Sequence, residues 1–225
     1  MPASTPTLFI ATPCLDGNVS AHYTASLVRT MSALPQRGWR SPHIDFEIGN
    51  SLIADARNKL VARFLASDAS DLLFIDSDLS WSPDDLLRLA SFDAPFVAGV
   101  YQRKSRSNID FAVKFGATIG MDAQRLMAVE RVGTGFMRLR RDCIEKMVAA
   151  YPALRLENPK NPGDVNFFAL FDTTIVDGQF IGEDFTFCDR WRAIGGQVLV
   201  DPSMNFGHHG AAVYDEPLMK FLQRN

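Results

Sequence analysis

The sequence predicts an α/β fold, with a mostly parallel central sheet, helices on both faces and a smaller mixed or antiparallel part in the second half. Two observations support this class. Short apolar runs closed by turn residues alternate with segments of helical periodicity. The 225 residues are also 47% hydrophobic, which is enough to bury one sizeable core, so a single domain over 1–225 is expected.

The first half of the chain predicts elements in the order strand, helix, helix, strand, helix, strand. Apolar runs predict buried strands at 7–12, 72–75 and 95–101. Apolar residues at helical spacing predict helices at 22–36 and 54–66. A third helix is expected to begin with Ser82 as its N-cap and Pro83 at its first position. Since strands joined through helices usually run parallel, this order predicts the parallel sheet.

The second half contains shorter segments with more alternation, such as FAVKF, LMAVERV and FMRLR, which favour mixed or antiparallel pairing. A capping box formed by Asp142 and Glu145 predicts a helix at 143–151. The proline-rich segment 152–166 predicts a surface loop, which could act as a lid, as could 102–110. Further strands are expected at 167–171 and 197–200, and further helices at 183–194 and 215–223.

Charge and cysteine content narrow the class of protein. A formal net charge of −3 and a pI near 5.8 provide no general attraction to nucleic acid or to an anionic membrane. Cys14, Cys143 and Cys188 lie far apart without a C-x-x-C pair, as is typical of a reduced cytosolic protein. The first residues do not resemble a signal peptide, and no window reaches the ~20 apolar residues of a membrane span. A soluble, cytoplasmic protein is therefore expected.

The stretch DLLFIDSDLSW, residues 71–81, places two carboxylates at the end of a buried strand. Asp76 and Asp78 are separated only by Ser77, and neighbouring like charges repel unless a cation or several donors lie between them. Ligands bind beyond the carboxyl ends of strands in open α/β sheets, and carboxylate oxygens suit Mg²⁺ or Mn²⁺. A plain turn with nearby capping acids explains an isolated D-x-D equally well, so other features must decide.

Three further motifs follow these acids. In GHHG, residues 207–210, one histidine could complete a metal shell, although a surface pair is more often simply solvated. In GEDFTFCDRW, Glu183 and Asp184 begin a helix, where acids also complement the helix dipole. In VGTGFMRLRR, Gly133 and Gly135 allow backbone to approach a ligand closely, but the third glycine of a dinucleotide fingerprint is missing.

Taken in order, LLFIDSDL, AGVYQRK, VGTGFMRLRR, GEDFTFCDRW and DPSMNFGHHG resemble the motifs of nucleotide-sugar glycosyltransferases of the GT-A fold, in particular small bacterial or phage-like members with a D-x-D motif. The resemblance implies that Asp76 and Asp78 bind a metal ion, Mn²⁺ or Mg²⁺, and that His208 completes its coordination. It also implies an acceptor site beside the acidic pair, with Asp184 as the general base and Glu183 as the neighbour that positions the acceptor or Asp184.

The resemblance further implies one GT-A domain with a nucleotide-binding half, 1–110, and an acceptor and metal-completing half, 111–225. The donor would be a nucleoside-diphosphate sugar of the UDP or GDP type, and the acceptor a small molecule, a glycan or a protein. The residues expected to contact the donor are Thr12, Pro13, Cys14, Arg57, Asn58, Asp76, Ser77, Asp78, Lys104, Gly133 and Gly135.

Two other classes of protein stay open. A nucleotidyltransferase also uses paired acids and a metal, but it usually has a glycine-rich basic loop near the N-terminus, and TPCLDGN contains no lysine or arginine. A non-catalytic protein that binds a nucleotide sugar or a metal would keep the same fold. A cysteine hydrolase is a more remote reading, because nothing in the sequence places a base beside Cys14.

Overall fold

A seven-stranded sheet forms the centre of the fold and confirms the predicted α/β class. The computed structural model describes residues 7–105, 107–117, 119–157 and 166–224. Its strands are β1 (Leu8–Cys14), β2 (His43–Ile48), β3 (Asp71–Ile75), β4 (Leu79–Ser80), β5 (Phe96–Gly99), β6 (Val113–Lys114), β7 (Met127–Val129), β8 (Arg131–Val132), β9 (Phe136–Arg140), β10 (Thr174–Val176), β11 (Gln179–Ile181), β12 (Val198–Asp201), β13 (Gly207–His209) and β14 (Val213–Tyr214). Its helices are α1 (Ala21–Gln36), α2 (Ile53–Ala66), α3 (Pro83–Ser91), α4 (Arg141–Ala150), α5 (Glu183–Ala193) and α6 (Leu218–Leu222), with a 3₁₀ turn at Pro152–Leu154.

The strand order in the central sheet is β2-β1-β3-β9-β5-β12-β7. β1 pairs in parallel with both β2 and β3, and β5 pairs in parallel with β12. β9 is antiparallel to both of its neighbours, β3 and β5, and β7 is antiparallel to β12. All strands except β9 and β7 therefore run in one direction, and the sheet is mostly parallel as predicted.

Helices cover both faces of this sheet. Alternate side chains of β1 point to opposite faces, so Leu8 and Ile10 join one apolar cluster, whereas Phe9 and Ala11 join the other. The first cluster includes buried residues of α1 and α3, and the second includes buried residues of α2, α4 and α5. In the described part of the chain, no helix combines the length and the apolar character that crossing a membrane requires.

The start of α3 follows its local sequence signals, as predicted. Ser82 is the N-cap, and its hydroxyl oxygen accepts the backbone N–H of Asp85 at 3.1 Å. Pro83 occupies the first helical position, where its missing N–H has no helical partner to lose. Strand β2, in contrast, is absent from the predicted elements. Its apolar residues alternate with polar ones, as is typical of a half-exposed strand at a sheet edge.

The strand predicted at 167–171 is wrong. Only Phe168 makes a bridge, an isolated one with Arg155. The apolar side chains of this segment instead belong to the core clusters or are buried beside them, so the apolar run reflects burial of an irregular segment. Within the predicted loop 152–166, three residues form the 3₁₀ turn, and 158–165 lie outside the described residues.

The capping box predicted for α4 is also wrong. The helix begins at Arg141, earlier than expected, so Asp142 lies inside its first turn instead of capping it. The N-cap is Arg140, whose side chain makes no capping hydrogen bond. Arg140 is also the last residue of β9, and the chain passes directly from strand to helix. Continuity with β9 therefore sets the start of this helix.

A small sheet in the order β14-β13-β4 joins the end of the chain to the acids. β4 follows β3 directly after residues 76–78, and β13 pairs antiparallel with it. Gly207 lies opposite Ser80, and His208 lies opposite Leu79. This pairing brings the GHHG motif next to the D-x-D motif, although the two are far apart in the sequence.

Candidate active site

The two acids of the D-x-D motif lie in a turn at the carboxyl edge of the central sheet. β3 ends at Ile75, and the backbone N–H of Leu79 donates to the carbonyl oxygen of Asp76 at 3.1 Å. Asp76, Ser77 and Asp78 all line a cavity of about 320 Å³. This volume is near the lower end of the ~300–1,000 Å³ that is usual for ligand sites.

Asp78 lies between two basic side chains. Its Oδ2 accepts from Lys104 Nζ at 2.5 Å, and its Oδ1 lies 3.5 Å from His208 Nε2. Burial acts to raise the pKa of Asp78, but His208 and Lys104 outweigh it and lower this pKa below the usual value. Oδ1 is buried and has no hydrogen bond among the described residues, since 3.5 Å is too long for a good one.

His208 is held so that one ring nitrogen faces Asp78. Its Nδ1 lies 2.8 Å from the backbone oxygen of Gln102, which can only accept, so Nδ1 carries the proton of the neutral ring. Nε2 points toward Asp78, and it offers a lone pair to a cation when the ring is neutral. A histidine that donates one N–H to a carbonyl and offers the other nitrogen is the usual form of a metal ligand.

The two adjacent histidines point to opposite sides of β13. His209 Nε2 lies 2.8 Å from the hydroxyl of Ser80, and its ring stacks on that of His22 at a centroid distance of 3.9 Å. The cavity that Asp78 lines is also lined by His208 but not by His209 or by its two partners. The position agrees with the choice of His208 as the candidate ligand, while metal binding by either residue stays a prediction.

We expect His208→Ala to weaken Mn²⁺ binding by about 10-fold or more, because even the groups behind a metal ligand are worth 10–100-fold in affinity. His209→Ala removes an imidazole of the same strand that faces away, and it should leave the affinity near that of the wild type. Titration of Mn²⁺ followed by electron paramagnetic resonance measures both. Normal binding by His208→Ala together with weak binding by His209→Ala would reverse the assignment.

Arg57 connects Asp76 to the second acidic pair. This side chain from α2 is buried, and its guanidinium contacts Asp76 Oδ1 at 3.4 Å and also donates to Glu183 Oε1. Burial acts to lower the pKa of Arg57, but Asp76, Glu183 and Asp184 outweigh it and raise this pKa. Burial raises the pKa of Asp76, although Arg57 opposes the change. Arg57 is thus a buried link between the two acidic motifs that also lines the cavity, and its contact with the donor stays a prediction.

Asp184 lies in the first turn of α5, as predicted, and is the less engaged member of its pair. Its Oδ1 accepts the backbone N–H of Phe185 at 2.7 Å. Burial raises the pKa of Asp184, Arg57 partly opposes this, and Glu183 adds to it. A carboxylate with a raised pKa is a stronger base, so burial overcomes the helix-terminus effect that would weaken Asp184 as a proton acceptor.

Of the three residues predicted to form the nucleotide pocket at the end of β1, only Pro13 lines the cavity. The hydroxyl of Thr12 is buried and lies 2.7 Å from that of Tyr23, and the thiol of Cys14 donates to the backbone oxygen of Asn18. Strand alternation turns both side chains away from the ligand side. Burial also raises the pKa of Cys14, which disfavours the thiolate that a cysteine hydrolase needs.

Asn58 has a supporting position instead of the predicted contact with the ligand. Its amide Nδ2–H donates to the backbone oxygen of Phe171 at 2.7 Å, and its Oδ1 accepts the backbone N–H of Phe171 at 2.9 Å. It is buried and does not line the cavity. These two bonds fix the irregular segment that replaces the predicted strand, and no local sequence signal indicates them.

Gly133 and Gly135 make room for protein atoms. A Cβ atom on Gly135 would lie 2.5 Å from the Tyr101 hydroxyl oxygen and 2.6 Å from Asp76 Oδ2. A Cβ on Gly133 would lie 2.9 Å from the same hydroxyl. Close packing against protein atoms explains both glycines, by Tyr101 at Gly135 and by Ala112 and Tyr101 at Gly133, while the predicted approach to a ligand stays a prediction. Tyr101 and Gln102 are the site residues that the sequence reasoning missed.

The residues present fit a divalent cation. The buried Oδ1 of Asp78, which lacks a hydrogen bond, and the Nε2 of His208 face each other at a distance that one cation with bonds of about 2.1 Å can span. Within the described ranges, no group of three or more His, Cys, Asp or Glu side chains could hold a metal ion. Mg²⁺-type ions commonly take one or two carboxylates and complete their shell with water and substrate phosphates.

Comparison with known proteins supports the fold. No protein-family model matches the chain, and no curated protein matches it in sequence. The crystal structure of A197 from STIV is 15% identical over 91% of this chain and 86% of that chain, with a TM-score of 0.54. At this identity the likeness shows the fold alone.

Two further solved structures are similar at lower TM-scores. A glycosyltransferase involved in glycosylation of the major capsid of PBCV-1 has a TM-score of 0.34 at 13% identity, covering 72% of this chain and 73% of that chain. The 4-diphosphocytidyl-2C-methyl-D-erythritol synthase from Anaerococcus prevotii has a TM-score of 0.36 at 10% identity, covering 68% of this chain and 80% of that chain. At these scores neither likeness carries an argument about the activity, which must come from the site.

Proposed function

We propose that this protein is a metal-dependent glycosyltransferase, which moves a sugar from a nucleoside-diphosphate sugar to an acceptor hydroxyl. The observation that carries the proposal is the arrangement around Asp78. A buried carboxylate oxygen without a hydrogen bond faces His208 Nε2, a nitrogen that can bind a cation when the ring is neutral, at the edge of a cavity that Asp76 and Arg57 also line. Acids, an imidazole and basic side chains together suit a ligand that brings both phosphates and a cation.

The side chains around the cavity divide the work of binding the donor. Asp78 and His208 would hold Mn²⁺ or Mg²⁺, and the chemistry that such an ion supplies is neutralisation of the diphosphate leaving group. Lys104 pairs with Asp78 in this structure. With an ion bound at Asp78, the ammonium group of Lys104 would be available to bind a phosphate oxygen of the donor. Asp76, which is paired with Arg57, would contact the ribose or support the ion.

The second acidic pair would serve the acceptor. Arg57 fixes Glu183 through an ion pair, which leaves Asp184 to accept the proton of the acceptor hydroxyl as the new bond forms. Because Arg57 contacts both Asp76 and Glu183, the donor and acceptor sides share one buried cation. The separation of roles between the halves 1–110 and 111–225 stays part of this proposal.

The alternatives make different predictions about the ligand. The connection between β1 and α1, residues 15–20, contains Asp16 and no lysine or arginine, which disfavours a triphosphate-binding nucleotidyltransferase. A non-catalytic binder would share every contact described above. The nucleotide that binds distinguishes a nucleotidyltransferase from the proposed glycosyltransferase. Cleavage of the bond to the sugar distinguishes the glycosyltransferase from a non-catalytic binder.

The decisive experiment is a thermal-unfolding panel with UDP, GDP, UDP-sugars, GDP-sugars and nucleoside triphosphates, each with and without Mn²⁺. A diphosphate or its sugar should stabilise the protein only with Mn²⁺, by about 2.7 kcal/mol at 100 times its Kd. Transfer or slow hydrolysis of the bound nucleotide sugar should then release the nucleoside diphosphate. Release of pyrophosphate from a triphosphate would instead indicate a nucleotidyltransferase, and binding without turnover would indicate a non-catalytic protein.

A further inference from the structure

Tyr101 occupies a central position beneath the candidate active site. It follows the end of β5, it is buried, and its hydroxyl accepts the backbone N–H of Gly135 at 3.1 Å. The carbonyl oxygen of Gly135 in turn accepts the backbone N–H of Asp76 at 2.9 Å. One peptide segment therefore connects the Tyr101 hydroxyl to the backbone that carries the first acid of the D-x-D motif.

The G-T-G motif is built to receive this hydroxyl. Cβ atoms on Gly133 and Gly135 would lie 2.9 Å and 2.5 Å from the hydroxyl oxygen, so side chains at either position would displace it. The same Gly135 Cβ would lie 2.6 Å from Asp76 Oδ2, so the hydroxyl and the carboxylate border one small space. Neither glycine has the positive φ that would give a separate reason for its presence. Tyr101 is thus the nearest group at Gly135, and it shares the space at Gly133 with Ala112, whose Cβ would lie at 2.8 Å.

The ring of Tyr101 also supports the histidine. It meets the imidazole of His208 edge to face, with a centroid distance of 5.2 Å and an interplanar angle of 84°. The next residue, Gln102, supplies the carbonyl oxygen that takes the Nδ1 proton of His208. The Gln102 side chain continues this support, because its Oε1 accepts the backbone N–H of Glu216, which follows β14. Residues 101 and 102 thus fix the imidazole on two sides.

We propose that Tyr101 is a positioning residue, which sets Asp76 and His208 at the separation that the metal and the diphosphate require. Its hydroxyl fixes the Asp76 segment through Gly135, and its ring fixes His208. The G-T-G motif acts through Tyr101, by leaving the space that its hydroxyl fills. This inference rests on the proposed metal site. It adds Tyr101, which is not itself a metal ligand, to the residues that determine the affinity for the metal.

The test compares Tyr101→Phe with Tyr23→Phe. Tyr23 is a matched control, because it is also buried and its hydroxyl has a hydrogen bond, with Thr12 at 2.7 Å, while its ring packs on Phe46 and Trp81 and not on Asp76, Asp78 or His208. Mn²⁺ is titrated alone into each protein and followed by electron paramagnetic resonance, with thermal unfolding measured in parallel. Tyr101→Phe keeps the ring against His208 and removes only the hydroxyl that fixes the Asp76 segment, so it should raise the Kd for Mn²⁺ by about 10-fold, the lower end of the usual scale for a group behind a metal ligand. Tyr23→Phe should lower stability comparably and leave the Kd near that of the wild type.

Gly135→Ala provides a second variant should Tyr101→Phe fail to fold, and Gly120→Ala is its control, since no atom lies within 4 Å of a Cβ built there. Gly135→Ala should also weaken Mn²⁺ binding, whereas Gly120→Ala should not. An unchanged Kd in folded Tyr101→Phe, or in folded Gly135→Ala, overturns the role of Tyr101 while the metal site itself stands. No Mn²⁺ binding by the wild type overturns the metal site and this inference together.

Discussion

Asp184→Asn should lower turnover by about 10²-fold or more, while the affinity for the donor stays within a few-fold of the wild type. An acceptor hydroxyl is a weak nucleophile until a base takes its proton, and the asparagine amide cannot do so. The amide oxygen can still accept the N–H of Phe185, so the start of α5 should be preserved. The loss should therefore appear in kcat, measured by release of nucleoside diphosphate in the presence of acceptor.

A suitable control is Asp189→Asn, which makes the same change on the same helix. Asp189 pairs with Arg131 at 2.8 Å and not with Arg57, the buried cation that lies between Asp76 and the acids at the start of α5, so its loss should leave turnover nearly unchanged. The base role presumes inversion at the anomeric carbon, which NMR of the first-formed product can check. Near-normal turnover by Asp184→Asn would refute the base role and leave Asp184 as an acid that stabilises the helix start.

The second large effect is expected for Asp78→Ala, which should abolish metal-dependent binding of the nucleotide. The stabilisation by donor and Mn²⁺, about 2.7 kcal/mol at 100 times the Kd, corresponds to about 5–10 °C in a chain of this size and should disappear. The fold should persist, because the contact of Asp78 with β13 uses its backbone oxygen, which accepts the N–H of His209 at 2.8 Å. Removing one of two neighbouring acids also relieves repulsion of Asp76.

Asp93→Ala controls for the loss of an acid in an ion pair. Asp93 pairs with Arg140 at 2.6 Å and precedes β5, so it lies at the opposite edge of the sheet from the D-x-D motif. This variant should retain the full thermal shift with nucleotide and Mn²⁺. A folded Asp78→Ala protein that binds Mn²⁺ and nucleotide as well as the wild type does would contradict the metal-site proposal.

Local sequence signals are sufficient to predict the position of the two acids of the D-x-D motif. An apolar run followed by acids marked the end of β3, and the position of a strand end predicted that Asp76 and Asp78 would face a cavity. The two acids lie in a turn and face different partners, which a strand end alone does not predict. Arg57 faces Asp76, and Lys104 faces Asp78. Each of these two ion pairs joins residues from separate segments of the chain.

The missed features depend on contacts between distant segments. Tyr101 reads as the last apolar residue of a strand, and only the fold shows that two glycines more than thirty positions away receive its hydroxyl. Asn58 has an ordinary helical environment in the sequence, yet its amide pairs with Phe171. The apolar run at 167–171 predicts a strand that the structure does not contain, because buried irregular backbone and a buried strand give the same apolar run. The edge strand β2 could have been found from its alternation.

The placing of β9 between β3 and β5 has a consequence for the order of folding. β3 and β5 come earlier in the chain, but each pairs with β9 and not with the other, so the sheet cannot grow by adding strands in the order of synthesis. Until residues 136–140 arrive, two apolar strands have unpaired edges, which slows folding and favours aggregation. Gly135, which takes the N–H of Asp76, immediately precedes this strand. A nascent chain that has emerged only as far as β5 therefore carries both acids without the proposed metal site. Binding of the ion would stabilise only chains in which β9 has joined the central sheet.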